Sequence, residues 1–206
     1  YGKEHVSDQI NTAITQEDPY AALAYRPQDK AHGTHVMSIA AGKEGIAPEA
    51  SLVFVELSPE PELTVSVQAL MQKDFGDTVR LIEGLRYIFT QAGDRPCVVN
   101  LSLGTNGGPH DGTSPVEQAI DALVTERPNR AVVIAAGNAY EDGIHRTGDI
   151  PVGGYADLEW KIEPFDPTPN EIEIWYSKDN QLELEIIHSS GVSVGNVPLG
   201  IDTFLA

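Results

Sequence analysis

Two histidines, His32 and His35, lie three residues apart in a run of mainly small residues that ends at Gly42. A neutral imidazole accepts a proton near pH 7, and the glycine after His32 lets another backbone or a substrate approach that ring closely. On a helix the two side chains share one face, so we interpret His35 as a residue that packs beside His32 or supports it. The pair could instead bind zinc, but no glutamate lies between the two residues and no third ligand is indicated.

A serine in the run Gly112-Thr113-Ser114 also has the chemistry of a nucleophile, because a hydroxyl activated by a base can attack a carbonyl. Ser114 is followed by Pro115, by Glu117 and then by apolar residues at helical spacing. A serine, a first-turn proline and a glutamate three residues after the serine are the signature of a helix start. We therefore predict that Ser114 caps a helix and is not a nucleophile.

Three runs of residues resemble, in the same order along the chain, the motifs of the subtilisin-like serine proteases, or subtilases. The runs are Ala31-His32-Gly33-Thr34-His35-Val36-Met37-Ser38-Ile39-Ala40-Ala41-Gly42, Val99-Asn100-Leu101-Ser102-Leu103-Gly104, and Val132-Val133-Ile134-Ala135-Ala136-Gly137-Asn138. The resemblance covers about residues 31–140. It implies a serine endopeptidase of the Ser/His/Asp type in which His32 is the general base.

The other two motifs receive roles by the same resemblance. Ser102-Leu103-Gly104 would form the edge along which an extended peptide substrate pairs, main chain to main chain. Ala135-Ala136-Gly137 would line the primary specificity pocket, although a buried parallel strand also favours small residues. Asn138 would be the oxyanion donor, because its amide can point at the oxygen where negative charge develops. Its alternative role is a left-handed backbone conformation at a strand end.

The aspartate and the serine of the family are not recognisable among these residues. In the family the order is aspartate, histidine, serine, and the aspartate ends an apolar strand just before a Ser or Thr and a Gly. None of the aspartates before His32 fits that pattern; they are Asp8, in a helical stretch, Asp18, in a turn before a proline, and Asp29, between polar residues. Ser114 precedes the asparagine motif, whereas the family serine follows it.

We therefore expect the catalytic aspartate to precede Tyr1 and the serine to lie outside the chain as well. On this interpretation the 206 residues are a piece of a serine endopeptidase and are inactive alone. Its partners are protein or peptide substrates and the rest of its own full-length chain. The alternative is a subtilase-derived scaffold that has lost catalysis and binds peptides.

The elements that position these residues alternate along the chain. The pattern predicts a helix from His32 to Gly42, a strand at Leu52 to Leu57, a helix from about Asp77 to Ala92, strands near Val98 to Leu103 and Ala131 to Ala136, and a further helix between those two strands. Short apolar runs separated by helical patterns are typical of parallel strands buried on both faces. The predicted fold class is α/β, an incomplete doubly wound, subtilisin-like parallel sheet followed by an antiparallel β module.

The last part of the sequence has a different periodicity. Beyond Gly154 apolar residues alternate with charged ones in two stretches: Leu158, Trp160, Ile162 and Leu182, Leu184, Ile186. A period of two is typical of antiparallel strands with one solvated face. The predicted domains are a polar excursion at 1–31, a partial subtilisin-like catalytic domain at 32–154 and a β-rich inserted module at 155–206. An insertion between asparagine and serine resembles that of some bacterial subtilases.

Composition excludes several kinds of partner. The chain has 31 acidic and 13 basic residues and a formal charge of -18 at pH 7. This charge repels nucleic acid and anionic lipid, so neither nucleic acid nor a membrane is expected as a partner. Acidic loops could hold calcium, but no stretch has the spaced oxygen ligands of an EF-hand. We therefore assign no cofactor and no metal site.

Overall fold

The computed structural model describes residues 2–27, 31–57, 67–165 and 170–198, and for residues 67–77 it describes the backbone alone. The elements in these residues, in chain order, are α1 (Ser7–Ala13), α2 (Pro19–Leu23), α3 (His32–Ala41), α4 (Val67–Ala92), β1 (Cys97–Leu101), α5 (Pro115–Thr125), β2 (Arg130–Ile134), β3 (Leu184–Ile187) and β4 (Ser193–Val197). The chain divides into a first unit, Tyr1–Gly104 with Ala122–Ala136, and a second unit, Thr105–Asp121 with Gly137–Ala206.

The first unit contains a parallel pair of strands. Strands β1 and β2 are in register with Val99 opposite Val132, and the Ala135 N–H donates to the Leu101 carbonyl at 3.0 Å just beyond β2. Parallel strands need a crossover connection, and α5 lies between β1 and β2 in the chain. The parallel pair and its crossover helix confirm the α/β class.

Both strands end two residues earlier than the pattern predicts. Strand β1 ends at Leu101 and β2 ends at Ile134. The expected extensions run into glycines, and Gly137 has a φ of +87°, a left-handed conformation that extended strands do not contain. The motif residues after each strand therefore lie in the connections at its carboxyl end.

Helix α4 packs against β1, and these two elements supply four of the five buried apolar residues among the described side chains. Leu85 and Phe89, one turn apart, are each 1% exposed. The guanidinium of Arg130 lies 4.6 Å above the Phe89 ring and donates to the Leu123 carbonyl at 2.8 Å. These contacts join the start of β2 to α4 and to the end of α5.

The two faces of β1 differ. Val99 is 4% exposed, but its neighbour Val98 is 70% exposed, and Val133 and Ile134 on β2 are also exposed. The expectation of strands buried on both faces is therefore wrong for the described residues. Helix α4 is the element that packs against β1 there.

The strand predicted at Leu52 to Leu57 does not form. A strand needs a hydrogen-bonded neighbour, and this segment has none in the part of the chain that the structure describes. Two side chains of the segment instead pack against glycines of neighbouring helices. A Cβ on Gly33 would lie 3.1 Å from Phe54 Cζ, and a Cβ on Gly84 would lie 3.3 Å from Val55 Cγ1. The segment thus lies beside α3 and α4 without forming a strand.

Helix α4 ends at Ala92 as predicted but begins ten residues earlier than expected, at Val67. The residues between Val67 and Asp77 include good helix formers, so the periodic pattern after Asp77 marked only the later part of the helix.

The polar segment before α3 is tied to the rest of the first unit. Asp18 accepts a hydrogen bond from the Ala21 N–H at 2.9 Å, so it caps α2, and its interpretation as a turn residue is corrected accordingly. The Tyr25 hydroxyl donates to Glu56 at 2.7 Å, and the Tyr87 hydroxyl on α4 donates to Glu4.

The second unit contains an antiparallel pair. Leu184 on β3 lies opposite Val197 on β4, and the turn is closed by the His188 N–H, which donates to the Val192 carbonyl at 2.8 Å. The antiparallel pairing of the Leu182 to Ile186 stretch is confirmed in part. The stretch with Leu158, Trp160 and Ile162 forms no strand in the described residues, where its apolar side chains are exposed and it has no hydrogen-bonded neighbour.

Adjacent valines on β1 provide a test of this packing. Val99→Ala should lower the free energy of unfolding by about 2 kcal/mol, because it removes two buried methyl groups and leaves a cavity. Val98→Ala, the matched control on the exposed face, should cost less than about 0.5 kcal/mol. Urea unfolding of the two variants measures the difference, and equal losses would contradict the one-sided core.

Candidate active site

His32 is the first residue of α3. The helix begins directly after Ala31, whose carbonyl accepts the His35 N–H at 3.0 Å. His32 is exposed, so its imidazole can meet another molecule. His35 is exposed on the same helix one turn later.

The imidazole of His32 reaches the connection that follows β1. Its Nε2 lies 3.0 Å from the carbonyl oxygen of Ser102. A carbonyl oxygen can only accept a hydrogen bond, so a neutral ring in this contact carries its proton on Nε2 and leaves Nδ1 as the acceptor. The structure thus brings the histidine motif and the predicted substrate edge together, although 70 residues separate them in the sequence.

The predicted substrate edge, Ser102-Leu103-Gly104, begins where the β1 ladder stops. The Asn100 amide donates to the Ser102 hydroxyl at 2.9 Å and fixes that side chain. Leu103 and Gly104 are exposed. Among the described residues, none pairs with the backbone of this edge as a strand, so the N–H and C=O groups of Leu103 and Gly104 are available to an added strand, whereas the Ser102 carbonyl meets His32.

The segment Ala135-Ala136-Gly137 follows β2, and the Ala135 N–H donates to the Leu101 carbonyl. The left-handed conformation falls on Gly137, with its φ of +87°, and not on Asn138. Backbone geometry therefore does not explain the asparagine. Asn138 is exposed. It is the second residue of the Gly137–Ala206 segment of the second unit. Its role as oxyanion donor stays a prediction.

Ser114 caps a helix, as the sequence predicts. The Glu117 N–H donates to Ser114 Oγ at 3.3 Å, and the Ser114 N–H donates to Glu117 Oε2 at 3.1 Å. Pro115 is the first residue of α5. Hydrogen bonding to the Ser114 side chain, and next to its backbone N–H, lowers the pKa of Glu117. Ser114 Oγ and Glu117 Oε2 thus both accept backbone hydrogen bonds in this cap. Capping therefore accounts for Ser114 without a catalytic role.

The candidate acids before His32 have other positions. Asp8 lies on α1, and the carboxylate of Asp18 caps α2. Asp29 lies outside the described residues. The described residues contain no group of three or more His, Cys, Asp and Glu side chains that could hold a metal ion. No helix in these ranges has the length and apolar character needed to cross a membrane.

One arrangement was missed from the sequence. The Glu173 carboxylate accepts hydrogen bonds from the Gly108 N–H and from the Trp175 indole. The Gly107-Gly108 pair, so soon after the edge motif, was an available signal of a close approach. Its partner lies 65 residues away and could not be found from local spacing.

Comparison with known proteins shows the family of the chain. The model of the Subtilase family matches residues 3–158, which is more than half of the chain. The chain therefore belongs to the subtilase family of serine proteases. It is also similar to pyrolysin of Pyrococcus furiosus, with 34% identity over 95 residues. This similarity covers 46% of the chain and only 6% of the length of pyrolysin. No solved structure matches the chain.

The cap at Ser114 can be tested by substitution. Ser114→Ala should lower the free energy of unfolding by about 0.5 to 2 kcal/mol, because the Glu117 N–H loses its acceptor. Ser114→Asp and Ser114→Asn should be nearly neutral, since both side chains also cap helices. Denaturant melts of the three variants decide the matter. An unchanged midpoint for Ser114→Ala would contradict the capping role.

Proposed function

We propose that these residues are part of a subtilisin-like endopeptidase in which His32 is the general base. The contact that carries the proposal is the 3.0 Å approach of His32 Nε2 to the Ser102 carbonyl. It places the imidazole beside the backbone with which a peptide substrate would pair. A base so placed is within reach of a bound scissile carbonyl and of a serine that attacks it.

The reaction would follow the serine protease sequence. A serine Oγ attacks the peptide carbonyl carbon, His32 takes the serine proton and then gives it to the leaving amine, and an aspartate orients the imidazole. The Asn138 amide donates to the oxygen that becomes negative in the tetrahedral intermediate. For this role the imidazole must turn from Ser102, because the nitrogen that faces the serine has to be free of a proton.

The positions of Asp18 and Ser114 support a catalytic triad of which these residues contain only a part. Their side chains serve as helix caps, and no Gly-Thr-Ser run follows Asn138 among the 206 residues. We therefore place the nucleophile and the orienting aspartate outside these residues. The rest of a longer chain then completes the active site.

A second candidate function is a peptide-binding scaffold without catalysis. The exposed, unpaired edge at Leu103 and Gly104 favours it, because strand addition needs only backbone groups and no nucleophile. The two functions differ in one property of the full-length protein, the presence of an activated serine.

A fluorophosphonate probe, which labels activated serines, tests directly whether the nucleophile lies outside these residues. The 206-residue chain alone should not be labelled, because removing triad members leaves no activated nucleophile. The full-length protein is the control and should take up one label on a serine outside these residues. Intact mass and peptide mapping give the result. Stoichiometric labelling of any serine in the 206 residues, Ser114 included, would contradict a nucleophile outside these residues. An unlabelled full-length protein would favour the peptide-binding scaffold without catalysis.

His32 and Asn138 should fail differently in the full-length enzyme. His32→Ala should nearly abolish turnover, because no other group takes the proton. Asn138→Leu, close in size but without a donor, should lower kcat by roughly 100-fold to 1000-fold with KM little changed, the range known for loss of such a donor in a subtilisin. The ground-state carbonyl lies outside the best donor distance, so the loss falls on turnover.

Steady-state kinetics on one peptide substrate measure both effects, with thermal melts to show that each variant is folded. Wild-type turnover in His32→Ala would exclude it as the base. Unchanged turnover in Asn138→Leu would reduce the asparagine to a structural residue.

A further inference from the structure

The carboxylate of Glu173 is held by two N–H groups of the second unit. Its Oε2 accepts the Gly108 N–H at 2.8 Å and the Trp175 indole N–H at 2.7 Å. Bonds from N–H groups to an ionised carboxylate are stronger than bonds between neutral groups. The Gly108 N–H, followed by the Trp175 indole and by the charge of His110, lowers the pKa of Glu173. The carboxylate is therefore kept in its ionised, accepting form.

The backbone that meets this carboxylate is shaped for it. A Cβ on Gly107 would lie 2.7 Å from Glu173 Oε1, closer than any side chain could be accommodated without displacing the carboxylate. Gly108 has a φ of +103°, a conformation open to glycine and strained for other residues. The approach of Glu173 thus accounts for Gly107, and the backbone conformation accounts for Gly108.

The other contacts of the loop are two short-range hydrogen bonds and one ring contact to His145. The Gly107 N–H donates to Thr105 Oγ1 at 3.1 Å, and a ring nitrogen of His110 lies 2.9 Å from the Asn106 carbonyl. The His110 and His145 rings meet edge to face with centroids 6.0 Å apart. The first two contacts fold the loop on itself, whereas the His145 ring and the Glu173 carboxylate join it to residues distant in the sequence, Glu173 by a hydrogen bond from the loop backbone.

The position of the loop gives the contact its consequence. Thr105 is bonded to Gly104, the last residue of the predicted substrate edge, so the loop is the direct continuation of that edge. The segment from Gly104 to Gly108 contains three glycines, which lose more conformational freedom than other residues when they become ordered. An edge that is ordered before a peptide arrives binds that peptide more tightly, because the ordering cost is not met on binding.

We propose that Glu173 is a positioning residue for substrate binding: its carboxylate orders the 105–110 loop and thereby holds the Ser102-Leu103-Gly104 edge in the conformation that pairs with a peptide. This inference rests on the proposed function, since it takes a peptide as the ligand of that edge. It also gives part of the predicted β module, residues 155–206, a role in substrate binding.

Peptide affinity tests the proposal without requiring catalysis. The full-length protein carrying His32→Ala is titrated with a fluorescein-labelled, alanine-rich octapeptide, and anisotropy gives Kd. Adding Glu173→Ala should raise Kd about tenfold, the effect of losing one charge-assisted hydrogen bond that orders the edge. Glu171→Ala removes the same charge two residues away and should leave Kd within about twofold.

Two further variants separate positioning from a general loss of structure. Glu173→Gln keeps a carbonyl oxygen that can accept both N–H groups and should restore most of the affinity. Gly107→Ala leaves Glu173 in place but requires its carboxylate to shift, so it should weaken binding by no more than Glu173→Ala does, because the carboxylate is the end of a flexible side chain. The two single losses should not add in Glu173→Ala with Gly107→Ala, because both remove the same contact. Hydrogen exchange of the Gly108 amide should accelerate about tenfold in Glu173→Ala.

The outcomes distinguish this inference from the proposed function. Unchanged Kd in Glu173→Ala overturns the positioning role, and so does faster Gly108 exchange with unchanged Kd, because the loop would then be held without affecting the edge. A protein that does not bind the octapeptide also overturns it. A protein with intact His32 that binds the octapeptide but does not cleave it contradicts the endopeptidase proposal, while the ratio of Kd values still decides the role of Glu173. In an active enzyme the same change should raise KM about tenfold and leave kcat unchanged.

Discussion

The hydrogen bond from the Ala135 N–H to the Leu101 carbonyl is the last link between the two chain segments that form the parallel pair. Immediately after it, one segment becomes the Ser102-Leu103-Gly104 edge and the other leads to Asn138. Both connections leave the same end of the sheet because the strands are parallel. The buried packing of Leu85 and Phe89 and the stacking of Arg130 hold that pair in place. The positions of the predicted site residues at the end of the strands therefore depend on the ladder beneath them.

The starts of α3 and α5 were predicted correctly from sequence because their signals act over a few residues. The Ser114 and Glu117 box needs only neighbours on the same turn, and the start of α3 at His32 follows from its own run of residues. Strands require partners that local spacing does not supply. The stretch around Trp160 has the right alternation but no neighbour in the described residues, so it remains unpaired.

The features of the candidate site also differ in whether the sequence indicates them. The histidine motif and the edge motif were each recognised from the sequence, and the structure adds that His32 and Ser102 lie within hydrogen-bonding distance. The contact between Glu173 and Gly108 was not indicated, because a glutamate on an alternating stretch is ordinarily a solvated residue. Its partner is a backbone N–H, which leaves no mark in the sequence beyond the glycine itself. Side-chain motifs are thus more readily found than the backbone groups that orient them.

The one-sided burial of β1 and the exposed end of β2 have a consequence for the behaviour of the chain in solution. Val98, Val133 and Ile134 expose apolar side chains to solvent. Strands with such side chains could pack against those of a second molecule. The opposing influence is a formal charge of -18, which keeps copies apart through long-range repulsion. At about 0.01 M ionic strength that repulsion extends roughly 30 Å, and at 0.15 M only about 8 Å. Dissolved ions therefore set how closely two molecules approach before their bare strand faces meet, which makes colloidal stability a property of the buffer as much as of the fold.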